Sequence, residues 1–399
     1  MLSSAQVLSG VGVATGVVAG SLLVADLSGS EGLAGLAQTS GVLGAAVVAA
    51  PLGALSNRVG RRPSLTLGYG IGAVGALVVI VSASAHLLPM LLLGTFLVGA
   101  ATAAGLQGRY AATDLAEPSR VGFSLSVVVW ATTIGAVAGP NLMAPAAHLA
   151  SGLGLIPLTG PYLLTLTALA AGSLLVWFAL RPDPLITERA MRGVVEQPRH
   201  ASLAEVRDVL RGSPGAVLAI TTLAVGYVVM VMVMVMTPVH MQHVDVSLTV
   251  IGFVISVHIL GMYAFSPIVG WLADHVGARP CIGVGVIILA LATLLAGTAP
   301  GDDIARLGVG LFLLGLGWSF TMVAGSALLT ESVDDADRPA VQGFGDTVMN
   351  AAAATGGVVA GIVVMAASYA WLNFVAVICL MPLVYLLVRE DARRGVPVA

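Results

Sequence analysis

Residues 53–63 read GALSNRVGRRP, and residues 270–280 read GWLADHVGARP. Both glycines, the leucine, the valine and the final Arg-Pro recur at the same positions, and the two segments lie 217 residues apart. A second landmark, Thr113-Asp114, returns as Thr330-Glu331 at the same offset. Two unrelated landmarks at one offset indicate that a unit of about half the chain is duplicated.

The composition is that of an integral membrane protein. The chain is 58% hydrophobic and 9% charged, whereas a soluble domain carries about 25% charged residues. Many apolar runs reach the ~20 residues that an α-helix needs to cross the hydrocarbon, and the alternating pattern of an outer-membrane barrel is absent. The sequence therefore predicts an all-α membrane protein with twelve transmembrane helices. The predicted spans 1 to 12 are residues 5–25, 33–53, 65–84, 88–108, 122–147, 161–180, 215–238, 247–269, 281–298, 305–330, 341–367 and 370–388.

The basic residues predict the orientation. All 17 are arginines, and under the twelve-span count only Arg306 falls on the opposite side from the others. Loops rich in Arg or Lys remain in the cytoplasm, so we expect both termini to be cytoplasmic. We expect a monomeric multi-pass protein of the bacterial inner membrane, with the lipid bilayer around it and no nucleic-acid partner.

The repeat and the spans together predict three parts. These are an N-terminal six-helix bundle at 1–180, a cytoplasmic linker at 181–214 and a C-terminal six-helix bundle at 215–399. Within the linker, Ser202-Leu-Ala-Glu205 is typical of a capping box that opens a short surface helix. Two pseudo-symmetric bundles related by an axis along the membrane normal are a standard plan of transporters.

The repeated segment resembles the loop 2–3 signature of the major facilitator superfamily. Its second copy lies between spans 8 and 9, where that family keeps its own second copy. The resemblance covers nearly the whole chain and implies the major facilitator fold. In that family the loop holds the halves together through charges that meet acids at neighbouring helix ends. The resemblance therefore implies a gating role for Arg58, Arg61, Arg62, Asp114, Asp274, Arg279 and Glu331.

One residue of the signature differs from the family pattern. The usual aspartate is Asn57 here, while the second copy keeps Asp274, which puts part of the first gating contact in question. Asp346 in span 11 is a further candidate partner for the arginines. The expected pairs are Arg61 or Arg62 with Asp114, and Arg279 with Glu331.

Span 5 contains Gly135-x-x-x-Gly139-Pro140, which resembles the antiporter motif of the superfamily. The alternative is close helix packing through small residues. The arginine that antiporters carry inside helix 4 is missing, and Thr95 stands near its place. A conventional proton/drug exchanger is therefore disfavoured.

Residues 230–262 concentrate the side chains that bind soft metals. They hold six of the chain's 14 methionines and three of its 7 histidines. Thioether and imidazole groups together suit a soft or borderline transition metal, and Cu(I) in particular. The neutral alternative is that these methionines fill apolar gaps in a membrane bundle.

The spacing of these residues along their helices shows which of them share a face. Residues four apart share a face, so span 7 presents Met232 with Met236, and span 8 presents His258 with Met262. An ionisable residue inside the bilayer is a functional candidate by default, although a histidine hydrogen-bonded between helices is the alternative. Weak sites in series suit transport, because an ion must leave as well as enter. At the outer mouth, the candidate capture residues are His240, Met241 and His243, which could also be ordinary loop residues.

The two Met/His spacings on spans 7 and 8 resemble the motif pair of the CcoA-like copper importers, a bacterial branch of the superfamily. That resemblance implies Cu(I) as cargo and the metal ligands Met232, Met236, His258 and Met262. Related members are associated with other substrates, including riboflavin, so the branch does not fix the cargo.

The alternative is a carrier for an organic molecule, either a drug-like exporter or a riboflavin-type importer. Gln107, Asn141, Trp318 and Asn350 either line a central cavity for such a cargo or pack between helices. No Walker-type phosphate loop and no nucleophile–base set occurs in the sequence. We therefore expect neither an enzyme nor a bound cofactor, and any copper would be a transported substrate.

Overall fold

The computed structural model describes residues 1–29, 33, 35–191 and 203–393. In these ranges the secondary structure is helical, without a strand, and twelve helical segments are long and apolar enough to cross a membrane. This confirms the predicted all-α fold of twelve spans. The helices are α1 (Leu2–Ser28), α2 (Gly35–Val59), α3 (Arg61–Ser84), α4 (Leu88–Ala111), α5 (Val121–Gly152), α6 (Gly160–Ala179), α7 (Pro184–Met191), α8 (Leu203–Gly212), α9 (Pro214–Gln242), α10 (Leu248–Tyr263), α11 (Ser266–Val276), α12 (Ala278–Gly297), α13 (Ile304–Glu331), α14 (Arg338–Ala366) and α15 (Tyr369–Arg393).

The predicted eighth span is two helices rather than one. The break falls at Ala264 and Phe265, and α11 then begins with Pro267 in its first turn. Proline has no backbone N–H to donate into the preceding turn, so it favours a new helix start at this point. The Ser266 hydroxyl donates to the Tyr263 carbonyl across the break.

The predicted linker contains two short helices, α7 and α8. The Val206 side chain is buried, while its neighbours Glu205 and Arg207 are exposed. The α8 helix is therefore amphipathic. Ser202, the expected cap of this helix, lies outside the described residues.

The chain forms two compact units that do not strictly follow chain order. The first unit comprises Met1–Leu115, Ala131–Ser202 and Asp335–Thr347, and the second comprises Ala116–Trp130, Leu203–Asp334 and Val348–Ala399. The first turns of α5 thus belong to the second unit, and the first turns of α14 belong to the first. The predicted division of the chain into two six-helix bundles joined by a linker at 181–214 stays a prediction.

The same helix pairings occur in each unit. In the first unit α3 packs on α4 and α6, α2 packs on α4, and α1 packs on α6. In the second unit α12 packs on α13 and α15, α10 packs on α13, and α9 packs on α15. Each pairing in the first unit has its counterpart in the second.

Close backbone approach at two glycines repeats at the predicted offset. A Cβ on Gly53 of α2 would stand 2.5 Å from the carbonyl oxygen of Pro339. A Cβ on Gly270 of α11 would collide with the carbonyl oxygen of Gly122. Both partners are also 217 residues apart. Small residues allow such close packing where helices meet in a membrane.

We expect Gly53→Ala to destabilise the protein, because the new methyl group would overlap backbone that cannot move cheaply. Overpacking of this kind costs about 1–3 kcal/mol. Gly283→Ala is the control, since a Cβ there meets no heavy atom within 4 Å. Thermal unfolding in detergent should show a lower Tm for Gly53→Ala alone. Equal melting of both variants would contradict the close approach.

Candidate gating and cargo sites

Polar side chains from three helices of the first unit form a buried cluster, which we call the α3–α4–α14 network. Arg61 of α3 donates to Asp114 through Nε at 2.8 Å and Nη2 at 3.0 Å. Arg61 also donates to Gln107 Oε1 at 3.2 Å and to Gln342 Oε1 of α14 at 2.8 Å. The guanidinium therefore binds groups on both α4 and α14.

A second ion pair completes the network. Arg109 Nη2 donates to Asp346 Oδ1 at 2.5 Å, and Gln107 Nε2 donates to Asp346 Oδ2 at 3.1 Å. Arg109 also donates to the Tyr110 hydroxyl at 3.1 Å. The two arginines, the two aspartates and both glutamines are buried. Charged hydrogen bonds of this kind are short and strong, but removing one partner leaves a costly unpaired charge.

Of the two candidate arginines, the structure pairs Arg61 with Asp114. The Arg62 guanidinium lies 4.7 Å from the centre of the Trp177 ring, and its backbone N–H donates to Asp183 at 2.7 Å. Arg58 is exposed at the end of α2. The sequence named Asp346 as a candidate partner for the signature arginines, and in the structure it forms its ion pair with Arg109 of α4.

In the second copy of the signature, Asp274 caps α5. Its carboxylate accepts the backbone N–H of Gly122 at 2.6 Å and that of Phe123 at 2.8 Å. These N–H groups have no partner inside the helix, and a negative charge at a helix N-terminus is stabilising. Glu331 lies within electrostatic range of Arg279 and Asp274.

The structure offers a reason why Asn57 stands where the family signature has an aspartate. The residue that corresponds to Gly122 at the 217-residue offset is Pro339, which has no N–H. A carboxylate at position 57 would therefore lack one of the donors that Asp274 uses. Asn57 instead accepts two hydrogen bonds from Arg189, one at its carbonyl oxygen at 2.8 Å and one at Oδ1.

We expect the reciprocal swaps at these two positions to have unequal effects. Asp274→Asn should lower the free energy of unfolding by about 1 kcal/mol, because the cap loses its charge. Asn57→Asp should be neutral or slightly stabilising, with any gain depending on Arg189. Thermal unfolding of both swaps, and of Asn57→Asp with Arg189→Gln, measures this. If Asn57→Asp still raised the Tm when Arg189 is replaced, the new carboxylate would be capping α14. That result would contradict the proposed difference between positions 57 and 274.

His258 of α10 lies fully buried inside its span. Its Nδ1 is 2.8 Å from the carbonyl oxygen of Leu311 on α13. A carbonyl can only accept, so Nδ1 carries a proton, and in the neutral imidazole Nε2 then has a free lone pair. Nε2 has no hydrogen-bond partner within the part of the chain that the structure describes.

The methionine pair of α9 lies against α14. The Met232 Cγ lies 3.3 Å from the position that a Cβ on Gly356 would take, and the Met236 methyl lies 3.9 Å from that position on Gly361. Met232 is buried and Met236 is partly buried. Glycines thus leave room on α14 for both thioethers.

The other predicted pair lies against a different helix. Met262 is buried like His258, and the backbone of both residues opposes Gly315 of α13. The structure therefore places the α9 pair on α14 and the α10 pair on α13. The predicted arrangement, in which all four side chains line one passage as weak sites in series, stays a prediction.

Near the C-terminal end of α9, His240 and His243 line one cavity of about 390 Å³. His240 Nε2 donates to the Ala299 carbonyl at 3.1 Å, and its ring stacks on Tyr369 with centroids 4.3 Å apart. Met241 is fully buried. Of the three predicted capture residues, the structure therefore brings only the two histidines to the cavity.

The remaining predicted features are packing elements or lie outside the described side chains. Gly135 and Gly139 let α5 approach α1 at Gly10 and Ala14, which matches the packing interpretation of the antiporter-like motif. The Asn141 side chain is outside the described part. Among the described residues there is no group of three or more His, Cys, Asp or Glu side chains placed to hold a metal.

A comparison of the sequence with models of known protein families agrees with the fold and with the repeated signature. The model of the Major Facilitator Superfamily matches residues 2–244 and 218–398. The chain belongs to the major facilitator superfamily. Its members are transporters, so this chain is a multi-pass membrane transporter rather than an enzyme.

Individual members of the superfamily resemble the chain over most of its length. The uncharacterized MFS-type transporter YdeG of Bacillus subtilis is 35% identical over 98% of this chain and 91% of its own length. The riboflavin transporter RfnT of Brucella anthropi is 25% identical over 96% of this chain and 94% of its own length. The crystal structure of the human organic anion transporter MFSD10 has a TM-score of 0.75, with 16% identity and 97% of each chain covered.

Proposed function

We propose that this major facilitator protein imports Cu(I) across the bacterial cytoplasmic membrane by alternating access, with both termini in the cytoplasm. The observation that carries the proposal is the imidazole of His258. Its Nδ1–H is fixed on the Leu311 carbonyl, and its buried Nε2 lone pair has no described partner.

This arrangement is typical of a metal-binding histidine. Such residues almost always donate the other ring N–H to a carbonyl or carboxylate, which fixes the tautomer and aims the free nitrogen. A bare imidazole nitrogen inside the bilayer is costly unless it has a use. Met262, one turn away on the same face, adds a soft thioether ligand, and together they suit Cu(I).

The remaining methionines and histidines would serve other stages of the same path. His240 and His243 meet the ion first at the outer cavity. Met232 and Met236 lie against glycines of α14 and would pass the ion on through their flexible thioether side chains. Met241 would join the capture site only after rearrangement, because it is buried.

A second candidate cargo is a planar organic molecule such as riboflavin. Tyr227 and Tyr263 flank Trp318, with ring centroids 6.0 and 5.6 Å from it. The adjacent Ser319 hydroxyl is buried and has no hydrogen-bond partner among the described residues. Aromatic faces bind flat rings, and one relative of the chain is a riboflavin transporter.

Copper uptake should depend on the free nitrogen of His258 and not on its hydrogen bond. His258→Gln keeps an N–H that can donate to the Leu311 carbonyl but removes the ligand nitrogen. We expect cells that produce His258→Gln or Met262→Ala to accumulate copper at the level of cells without the protein. His275→Ala is the matched control, because that exposed histidine also bonds a backbone carbonyl through Nδ1.

The same cells should be assayed with labelled riboflavin. Parental copper uptake by His258→Gln, at parental protein levels, would remove the copper proposal. Riboflavin uptake that disappears in Trp318→Leu and persists in His258→Gln would establish the second candidate instead.

A further inference from the structure

Helices α10 and α13 meet backbone to backbone beside the proposed copper ligands. A Cβ on Gly315 of α13 would stand 2.3 Å from the His258 carbonyl oxygen and 2.8 Å from the Met262 backbone nitrogen. In the other direction, a Cβ on Gly261 of α10 would stand 2.3 Å from the Phe312 carbonyl oxygen. Real Cβ atoms do not approach other heavy atoms to less than 3.0 Å. Each helix therefore has a glycine where the backbone of the other helix touches it.

This contact and the hydrogen bond of His258 lie on the same faces of the two helices. His258 and Met262 are four residues apart and share a face of α10. Leu311 and Gly315 share a face of α13 for the same reason. The His258 Nδ1 reaches the Leu311 carbonyl oxygen at 2.8 Å, one turn away from the place where Gly315 meets the α10 backbone. The glycine contact therefore sets the distance across which this hydrogen bond forms.

That distance decides which nitrogen of His258 is protonated. A neutral imidazole carries one proton, on either of its two nitrogens. The Leu311 carbonyl selects the proton on Nδ1 and leaves the lone pair on Nε2. With the carbonyl out of range, the proton is free to sit on Nε2 instead. A nitrogen that bears a proton cannot bind a metal.

The contact has little tolerance for a larger residue. Ordinary van der Waals contact of a Cβ begins at 3.4 Å, so a methyl group at position 315 would force the two backbones apart by about 1 Å. The 2.8 Å between Nδ1 and the Leu311 oxygen would then grow to about 3.8 Å, and a polar contact of about 3.6 Å is already too long for a hydrogen bond. One methyl group is therefore enough to release the imidazole.

We propose that Gly315 and Gly261 are positioning residues that set the tautomer of His258 and so keep its metal-binding nitrogen free of a proton. Neither glycine touches the ion. Both act through the approach of the Leu311 carbonyl to the imidazole. The use of the free nitrogen rests on the copper import proposed above, whereas the tautomer is a property of the metal-free protein.

The first measurement is the ¹⁵N NMR spectrum of the imidazoles in the metal-free protein, in lipid nanodiscs at about pH 8, where a histidine is neutral. Signals that disappear in His258→Gln belong to His258. We expect the parent to carry its proton on Nδ1, and Gly315→Ala and Gly261→Ala to show protonation at Nε2 as well. Gly308→Ala of α13 and Gly252→Ala of α10 are the matched controls, because a Cβ at either position meets no heavy atom within 4 Å.

The second measurement is the affinity for Cu(I), by anaerobic competition with the chelator bathocuproine disulfonate. Losing the hydrogen bond that orients a metal-binding histidine weakens metal binding about 10- to 100-fold. We therefore expect Gly315→Ala to bind Cu(I) at least about tenfold more weakly than the parent. Both control variants should bind Cu(I) like the parent.

A parent that carries the proton on Nε2 would overturn the inference, even if no alanine variant folds. Folded Gly315→Ala and Gly261→Ala proteins with the parental tautomer would also overturn it, as would parental Cu(I) affinity in a variant whose tautomer has shifted. If the tautomer shifts as expected but the parent does not bind Cu(I), the copper proposal fails and the positioning role of the two glycines stands.

Discussion

No water is available inside a bilayer to hydrogen-bond a buried polar group, so each such group must find a partner in the protein or serve a purpose. The α3–α4–α14 network satisfies this constraint by pairing Arg61 with Asp114 and Arg109 with Asp346. His258 satisfies it at only one ring nitrogen. The copper proposal for this transporter follows from that difference.

The two units share an architecture but divide its chemistry. Equivalent helix pairings and equivalent close approaches at Gly53 and Gly270 recur at one offset. The α3–α4–α14 network belongs to the first unit. The second unit holds the predicted copper ligands and the three neighbouring rings of Tyr227, Tyr263 and Trp318.

Much of the fold could be predicted from the sequence, because a membrane span can be recognised from the length and apolarity of a segment. Twelve spans and the position of both signatures follow from local patterns, whereas the pairing of a signature arginine with Asp114 came from the resemblance to the family. The break between α10 and α11 was not predicted, because the two helices together form one continuous apolar segment. Pro267 was the local signal for it.

The candidate sites were predicted less completely, because spacing gives the face of a helix but not its neighbour. In the structure Met232 adjoins α14 and His258 adjoins α13, and the spacing of residues along their own helices could not predict either neighbour. Arg109 counted only as a positive charge near a span end, although it is buried against Asp346. Such long-range pairs depend on which helices touch, and one sequence does not contain that information.

The most direct test of the central claim is X-ray absorption spectroscopy of the purified protein loaded with Cu(I). The account predicts copper bound at one equivalent or less in a shell that mixes imidazole nitrogen with thioether sulfur, and loss of the nitrogen contribution in His258→Gln. Failure to retain Cu(I), or an unchanged nitrogen contribution in that variant, would contradict the assignment of His258 as the residue that binds the cargo.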